Sequence, residues 1–152
     1  MSETSIADLE ARLAAAEADP LERVEALNAL AWELRQRDAP RAHELAAQAR
    51  ELAREHGHAL GQARAARTLA MTVRDPEDLR SVLELAHEAR RLFDEAGDGP
   101  GRAGSRDFLA SVHEYLGDAS GALQLALDAL SIAREIGDPI RQGYALSNVG
   151  GI

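Results

Sequence analysis

Arginines recur along one stretch of the chain at a spacing that suits the recognition of carboxylates. Arg64, Arg67, Met71 and Arg74 stand at positions i, i+3, i+7 and i+10. In a helix this spacing puts the four side chains along one face. Guanidinium groups make charge-assisted, often bidentate hydrogen bonds with carboxylates, so the stretch predicts a surface for an acidic peptide. The alternative is a solvated face whose arginines are paired with acids of a neighbouring repeat.

Other residue patterns that could carry chemistry lack the context they need. Gly99, Gly101 and Gly104 match a dinucleotide-binding fingerprint, but that motif must follow a strand, and a helical pattern precedes it. No two histidines have the i, i+4 spacing of a helical metal site, and there is no cysteine. Carboxylate pairs at helix-neighbour spacing are typical of solvated faces. We therefore expect no enzyme within these residues, no metal and no cofactor.

The charge balance narrows the class of partner. The net charge is −9 over 152 residues. An acidic surface repels nucleic-acid phosphates and anionic membranes, so neither is an expected partner. There is no apolar run long enough to span a bilayer, and the first residues lack the pattern of a signal peptide. We expect a cytoplasmic protein.

The chain repeats itself every 40 residues. Gly57, Gly97 and Gly137 are 40 residues apart, and leucine, alanine and glutamate recur at matching places before each of them. A fixed period of this length indicates stacked helical units, and no stretch shows the alternation of a strand. Aspartates before helices are expected to be N-caps, as at Asp19, Asp75 and Asp138. The predicted helices are 5–18, 21–36, 40–56, 60–74, 76–96, 100–116, 119–136 and 139–152.

The third unit resembles the tetratricopeptide repeat family. The resemblance rests on Leu109-Ala110, Tyr115-Leu116-Gly117-Asp118, Ala122 and Ala129-Leu130, with weaker matches in the two earlier units. It implies one all-α domain over 1–152, a right-handed superhelical array of antiparallel hairpins, or α-solenoid. Its parts would be an N-terminal capping helix at 1–20, repeats at 21–58, 59–98 and 99–138, and the first helix of an incomplete fourth repeat at 139–152.

The same resemblance implies a concave groove that is lined by the first helix of each repeat and binds a peptide or protein. Trp32 is then an aromatic anchor or packs on the 5–18 helix, and Asn28 bonds a peptide backbone or is simply exposed. Asp107 and Glu114 are the acids that would pair with the arginines in the alternative above. The implied lining is Glu25, Asn28, Trp32 and Arg35, then Arg64, Arg67, Met71 and Arg74, then Gly104, Asp107, Ser111 and Glu114, then Tyr144, Ser147 and Gly151.

Two functions stay open. The repeat pattern indicates an interaction module that binds a peptide or protein partner, an acidic one being a candidate, without catalysis. The stretch Leu27-Asn28-Ala29-Leu30-Ala31-Trp32-Glu33-Leu34 resembles the sensory front end of bacterial diguanylate cyclases, histidine kinases and transcription regulators. With the incomplete fourth repeat, this resemblance implies the alternative, an N-terminal regulatory or sensory region of a larger bacterial signalling protein. The last helix has an apolar edge that also predicts a homo-oligomer, formed through Tyr144, Leu146, Val149 and Ile152, with Ala145 partly uncovered beside them.

Overall fold

The computed structural model describes residues 4–75 and 77–152, and within these ranges the chain is all-helical with no strand. Consecutive helices pack against each other, as expected for helix hairpins of an α-solenoid. The chain forms two compact units, Met1–Leu85 and Ala86–Ile152. The helices are α1 (Ile6–Ala15), α2 (Pro20–Leu34), α3 (Ala39–Glu55), α4 (Ala59–Met71), α5 (Leu79–Ala96), α6 (Gly99–Tyr115), α7 (Ala119–Glu135) and α8 (Pro139–Gly151).

Capping side chains fix where most helices begin. Asp19 accepts hydrogen bonds from the backbone N–H groups of residues 21 and 22, and Asp138 does the same at the start of α8. Both predicted caps are confirmed. Asp38, Asp98 and Asp118 cap α3, α6 and α7 in the same way. Each satisfies backbone donors that a helix leaves without an internal partner.

Glycine ends the longer helices. Gly57, Gly97, Gly117 and Gly137 all have positive φ, between 63° and 79°. A side chain at this backbone angle would clash with the following carbonyl, so glycine is the residue that lets the chain leave the helix and turn back.

The prediction for the connection between α4 and α5 was wrong. The helix that was predicted at 60–74 ends at Met71, and the next one begins at Leu79 rather than at residue 76. Asp75 does not cap it, since its carboxylate accepts from the N–H of Glu77, 2.9 Å away. Asp78 takes that role and accepts from the N–H of Ser81 at 3.1 Å. Pro76, predicted at the first helical position, lies outside the described residues.

In the first unit, leucines from α1 to α4 form the core, and alanines let the helices approach closely. Leu9 of α1 is buried with Leu27 and Leu30 of α2, while Ile6 and Leu13 pack against them at the edge. α1 therefore packs on the first hairpin through these apolar side chains. Ala31, Ala42, Ala49 and Ala70 are all buried at these helix contacts.

In the second unit, α6 packs closely on the end of α5. A Cβ atom added at Gly101 would lie 2.1 Å from the ring of Phe93, which is itself fully buried. The glycine is therefore needed for helix contact, which explains part of the fingerprint at 99–104. Ala145 of α8 is buried with Ala129 and Leu130 of α7, contrary to its expected partial exposure. None of the helices in the described part of the chain is both long and apolar enough to cross a membrane.

Candidate binding surface on helices α2 and α4

Trp32 of α2 is the centre of a basic cluster in the first unit. The guanidinium carbon of Arg35 lies 3.7 Å from the centroid of the indole ring, and that of Arg67 lies 3.8 Å from it. Arg35 also donates from Nη1 to the carbonyl of Trp32, at 2.5 Å. All three side chains are half-buried. The ring thus holds two cations, one from its own helix and one from α4, by cation–π attraction.

Arg64 extends this cluster along α4. Its Nη1 atom donates to Glu25 Oε2 of α2 at 2.9 Å, and both side chains are about one-third exposed. The Nε2 atom of His58, whose Nδ1 caps α4, lies 4.0 Å from the other oxygen of Glu25. Arg64 therefore pairs with an acid of its own unit, where the alternative interpretation assigned the arginines to Asp107 and Glu114.

Met71 and Arg74 differ in their placement, because α4 ends between them. Met71 is the last helical residue and is 41 % exposed. Arg74 lies beyond the helix end, so it does not share the helical face of Arg64, Arg67 and Met71 as predicted. Its side chain is 66 % exposed and stands 3.8 Å from a carboxylate oxygen of Glu44 on α3.

Thr72 follows the last helical residue of α4. It is buried, and its Oγ1 donates to the carbonyl of Thr68 at 2.8 Å. Its backbone N–H bonds to the carbonyl of Leu69 at 3.2 Å, so the last turn of the helix is tighter than an α-helical turn.

Asn28 lies beneath this surface. It is only 5 % exposed, and its amide nitrogen donates to the carbonyl of Gly61 at 3.0 Å. Its Oδ1 atom is buried without a hydrogen-bond partner. This position fits a tie between α2 and α4 better than contact with a peptide backbone.

We call Glu25, Trp32, Arg35, Arg64, Arg67 and Met71 the α2–α4 surface. It carries three guanidiniums and one carboxylate, whereas the chain as a whole has a net charge of −9. A basic surface raises the local concentration of anionic partners. The arrangement can bind carboxylates, and Met71 adds an apolar contact at its edge.

The lining residues that were predicted in the third repeat form a different arrangement in the second unit. Asp107 accepts from Asn148 Nδ2 of α8 at 3.2 Å. Burial raises the pKa of Asp107, although this hydrogen bond and the charge of Arg141 oppose the shift. The guanidinium of Arg141 covers Gly104, where an added Cβ would lie 2.7 Å from it. Sequence reasoning missed Arg141, whose signal was the glycine opposite it.

The remaining predicted residues of the second unit are mostly exposed. Ser111 donates to the carbonyl of Asp107 at 3.2 Å, and Glu114 points to solvent. On α8, Ser147 and Gly151 are exposed and Val149 is half-buried. The exposed apolar side chains of the predicted oligomer edge are Tyr144 at 64 %, Leu146 at 51 % and Ile152 at 38 %.

His113 supports the residue that caps α7. His113 Nδ1 lies 2.8 Å from Asp118 Oδ2, the cap of α7. Hydrogen bonds from the Gly121 backbone and then from His113 lower the pKa of Asp118. No group of three or more metal-binding side chains was found in the part of the chain that the structure describes.

The sequence was compared with family models and with curated proteins. No family model matches the chain, and no curated protein matches it. The resemblance to tetratricopeptide repeats therefore rests on the residues of this chain alone.

Proposed function

We propose that the chain is a protein–protein interaction module that binds an acidic peptide, or an acidic segment of a protein, on the α2–α4 surface without catalysis. The observation that carries this proposal is the pair of guanidiniums that stack on Trp32. The repeat pattern supports it as well, since stacked helical units present extended surfaces to partners.

Stacking prepares the arginines for carboxylates. A guanidinium is planar and its N–H donors lie in that plane, so an aromatic ring can contact its face without competing for its hydrogen bonds. Trp32 also restricts how far Arg35 and Arg67 can move. Less side-chain entropy is then lost when a carboxylate binds, which favours affinity. Glu25 plays the opposite role: it competes for Arg64 and discriminates against weakly charged partners.

The sole tryptophan of the chain provides the test, because it is the ring on which the arginines stack. We would titrate the chain with a synthetic peptide in which glutamate alternates with glycine, and follow Trp32 fluorescence. The matched control peptide has glutamine in place of glutamate. We expect a saturable change with the glutamate peptide alone, weakened by added salt because partly exposed charges are screened.

Equal responses to the two peptides, or none to either, would contradict the proposal. The latter would turn attention to the alternative that these repeats regulate a signalling enzyme in the same chain.

We further propose that copies of the chain associate through α8. Tyr144 and Leu146 are more than half exposed, and Ile140 beside them is 70 % exposed. Exposed apolar side chains of this size favour association with another copy, because association removes them from water.

A further inference from the structure

Two glycines of α8 stand where the earlier repeats have buried alanines. Gly143 and Gly150 lie 40 and 80 residues after these alanines. The residues at the equivalent positions are Ala63 and Ala70 of α4, and Ala103 and Ala110 of α6, all of them buried. A small buried residue on a helix lets a neighbouring helix approach closely, because the distance between helix axes depends on the side chains at the contact.

In α8 the same positions are open. Both glycines are exposed, and a Cβ atom added at either of them would meet no atom within 4 Å. They are spaced i, i+7, so they share one face of the helix, with Leu146 and Ser147 between them. We call Gly143, Leu146, Ser147 and Gly150 the α8 face. It has small residues at the positions that make helix contacts in α4 and α6, and no described residue covers its glycines.

Two leucines of α7 extend this surface. Leu123, Leu127 and Leu130 are spaced i, i+4 and i+7, which puts them on one side of α7. Leu130 is buried against Ala145 of α8, so this is the side of α7 next to α8. Leu123 and Leu127 are exposed. They therefore add apolar area beside the α8 face.

The α8 face carries no charge, although the chain as a whole has a net charge of −9. The one charged side chain between residues 139 and 152 is that of Arg141. Its guanidinium lies over Gly104, and its Nε atom is 3.5 Å from a carboxylate oxygen of Asp138. Two copies of an acidic chain repel each other, so an uncharged face is where they can meet at the lowest electrostatic cost. This favours a second copy as the occupant of the surface.

We propose that two copies of the chain associate with their α8 helices antiparallel and in contact at the glycines. This inference rests on the association through α8 proposed above, and it specifies which faces meet. A contact between identical surfaces has a two-fold axis. The axis passes near Leu146 and Ser147, which lie midway between the two glycines. Gly143 of each copy then faces Gly150 of the other.

The missing side chains at the glycines let the two helices come close. Helix axes are usually about 8–10 Å apart, and small residues at the contact favour the short end of this range. Close approach removes Leu146 of both copies from water, together with the exposed leucines of α7 beside it.

The chain contains no cysteine, so an introduced thiol reports which positions meet. Ser147→Cys would be treated with oxidised glutathione at a concentration where sedimentation shows dimers of the parent chain. We expect a covalent dimer on a non-reducing gel, because a disulfide needs Cα atoms roughly 4.4–6.8 Å apart and this position is next to the axis. Gln48→Cys, at an exposed position of α3, is the matched control and should stay mainly monomeric.

A pair of variants at Gly143 tests the close approach. Gly143→Gln adds an uncharged side chain at an open helical position, so the monomer should stay folded. It should weaken dimerisation about tenfold or more, because the added atoms overfill the contact. Gly143→Ala should dimerise like the parent chain, since alanine stands at the equivalent positions of α4 and α6. Sedimentation velocity measures both.

Sedimentation of the parent chain tests the association itself, and a monomer at every concentration would overturn it together with this inference. Two other results would overturn the inference alone. One is a parent chain that dimerises while Ser147→Cys forms no more disulfide than Gln48→Cys. The other is dimerisation of Gly143→Gln that is as tight as that of the parent chain.

Discussion

Arg67 and Asp107 occupy equivalent positions of two repeats, 40 residues apart, yet they are opposite in charge and have different neighbours. Arg67 stacks on the ring of Trp32 beside Arg35. Asp107 is partly buried and hydrogen-bonded to Asn148. The buried alanines and leucines of the two repeats match while these outward residues differ. The comparison teaches that the repeat fixes the helix contacts and leaves its outward positions to set the charge of each unit's surface.

The largest expected effect comes from reversing the charge of the basic member of this pair. Arg67→Glu should weaken binding of the glutamate peptide by roughly 10- to 100-fold, since a hydrogen bond to a charged group contributes about 1.5–3 kcal/mol. Trp32 fluorescence would measure it. Arg74→Glu is the matched control, because Arg74 lies beyond the helix and is well exposed. A collapse of the melting temperature in Arg67→Glu would show instead that this arginine is structural.

Removing the ring should have a smaller effect. Trp32→Leu keeps both arginines but loses two cation–π contacts, each worth about 0.5–1 kcal/mol at a partly exposed site. We expect roughly tenfold weaker peptide binding, measured by calorimetry because the fluorophore is gone. The peptide affinity of Trp32→Phe should lie between those of Trp32→Leu and the parent chain. If Trp32→Leu bound like the parent chain, stacking would have no part in holding the arginines for a carboxylate.

The two units are also expected to differ in self-association, because the exposed apolar side chains of α8 belong to the second unit. We expect sedimentation velocity to show dimers or larger oligomers at high protein concentration, and Leu146→Glu to return the chain to monomer, since a buried charge at an interface is costly. Tyr115→Glu, which changes an exposed side chain outside α8, is the control. A parent chain that stays monomeric at every concentration would refute this role of α8.

The smallest expected effect concerns Asp107 itself. Because burial raises its pKa, the folded state disfavours the carboxylate, and stability rises as pH falls through the folded-state pKa. Asp107→Asn should raise the melting temperature near neutral pH by about 1 °C or more, and the difference should shrink in acid. Thermal unfolding across this pH range measures it.

Asp94 provides the opposite case. Burial pushes its pKa up, but hydrogen bonds and charge from Arg106 and Arg102 outweigh it, so the pKa is lowered. Stability from this group is present above the ordinary carboxyl pKa and is lost as pH falls through the folded-state value. Asp94→Asn should therefore lower the melting temperature near neutral pH. Equal shifts in both variants would mean that neither environment matters.

Local patterns predicted the helices well, because caps and turns are determined by neighbouring residues. Asp19 and Gly57 act where their types indicated. The prediction was wrong where two signals competed: Asp75 and Asp78 could each begin α5, and the hydrogen bond with Ser81 favours the second. Periodicity on α4 could not reveal that the helix ends before Arg74.

The site was less predictable, since its contacts join distant parts of the sequence. The stacking of Arg67 on Trp32 depends on the distance between α2 and α4. The pattern of residues within one helix does not predict that distance. Asn28 was predicted to lie at the surface because asparagine is polar. Its side-chain amide instead donates to the carbonyl of Gly61, 33 positions later. The difference in charge between Arg67 and Asp107, at equivalent positions of two repeats, likewise has no signal in the repeat pattern, which leaves these positions variable.

The glycine turns have a consequence for how the chain reaches its structure. Helices joined by Gly57 or Gly117 contact their sequence neighbours, so these contacts close over short loops. Proteins dominated by such local contacts fold within microseconds to milliseconds. Each hairpin can also open while its neighbours stay formed. A newly made chain can therefore gain structure one hairpin at a time as it is synthesised.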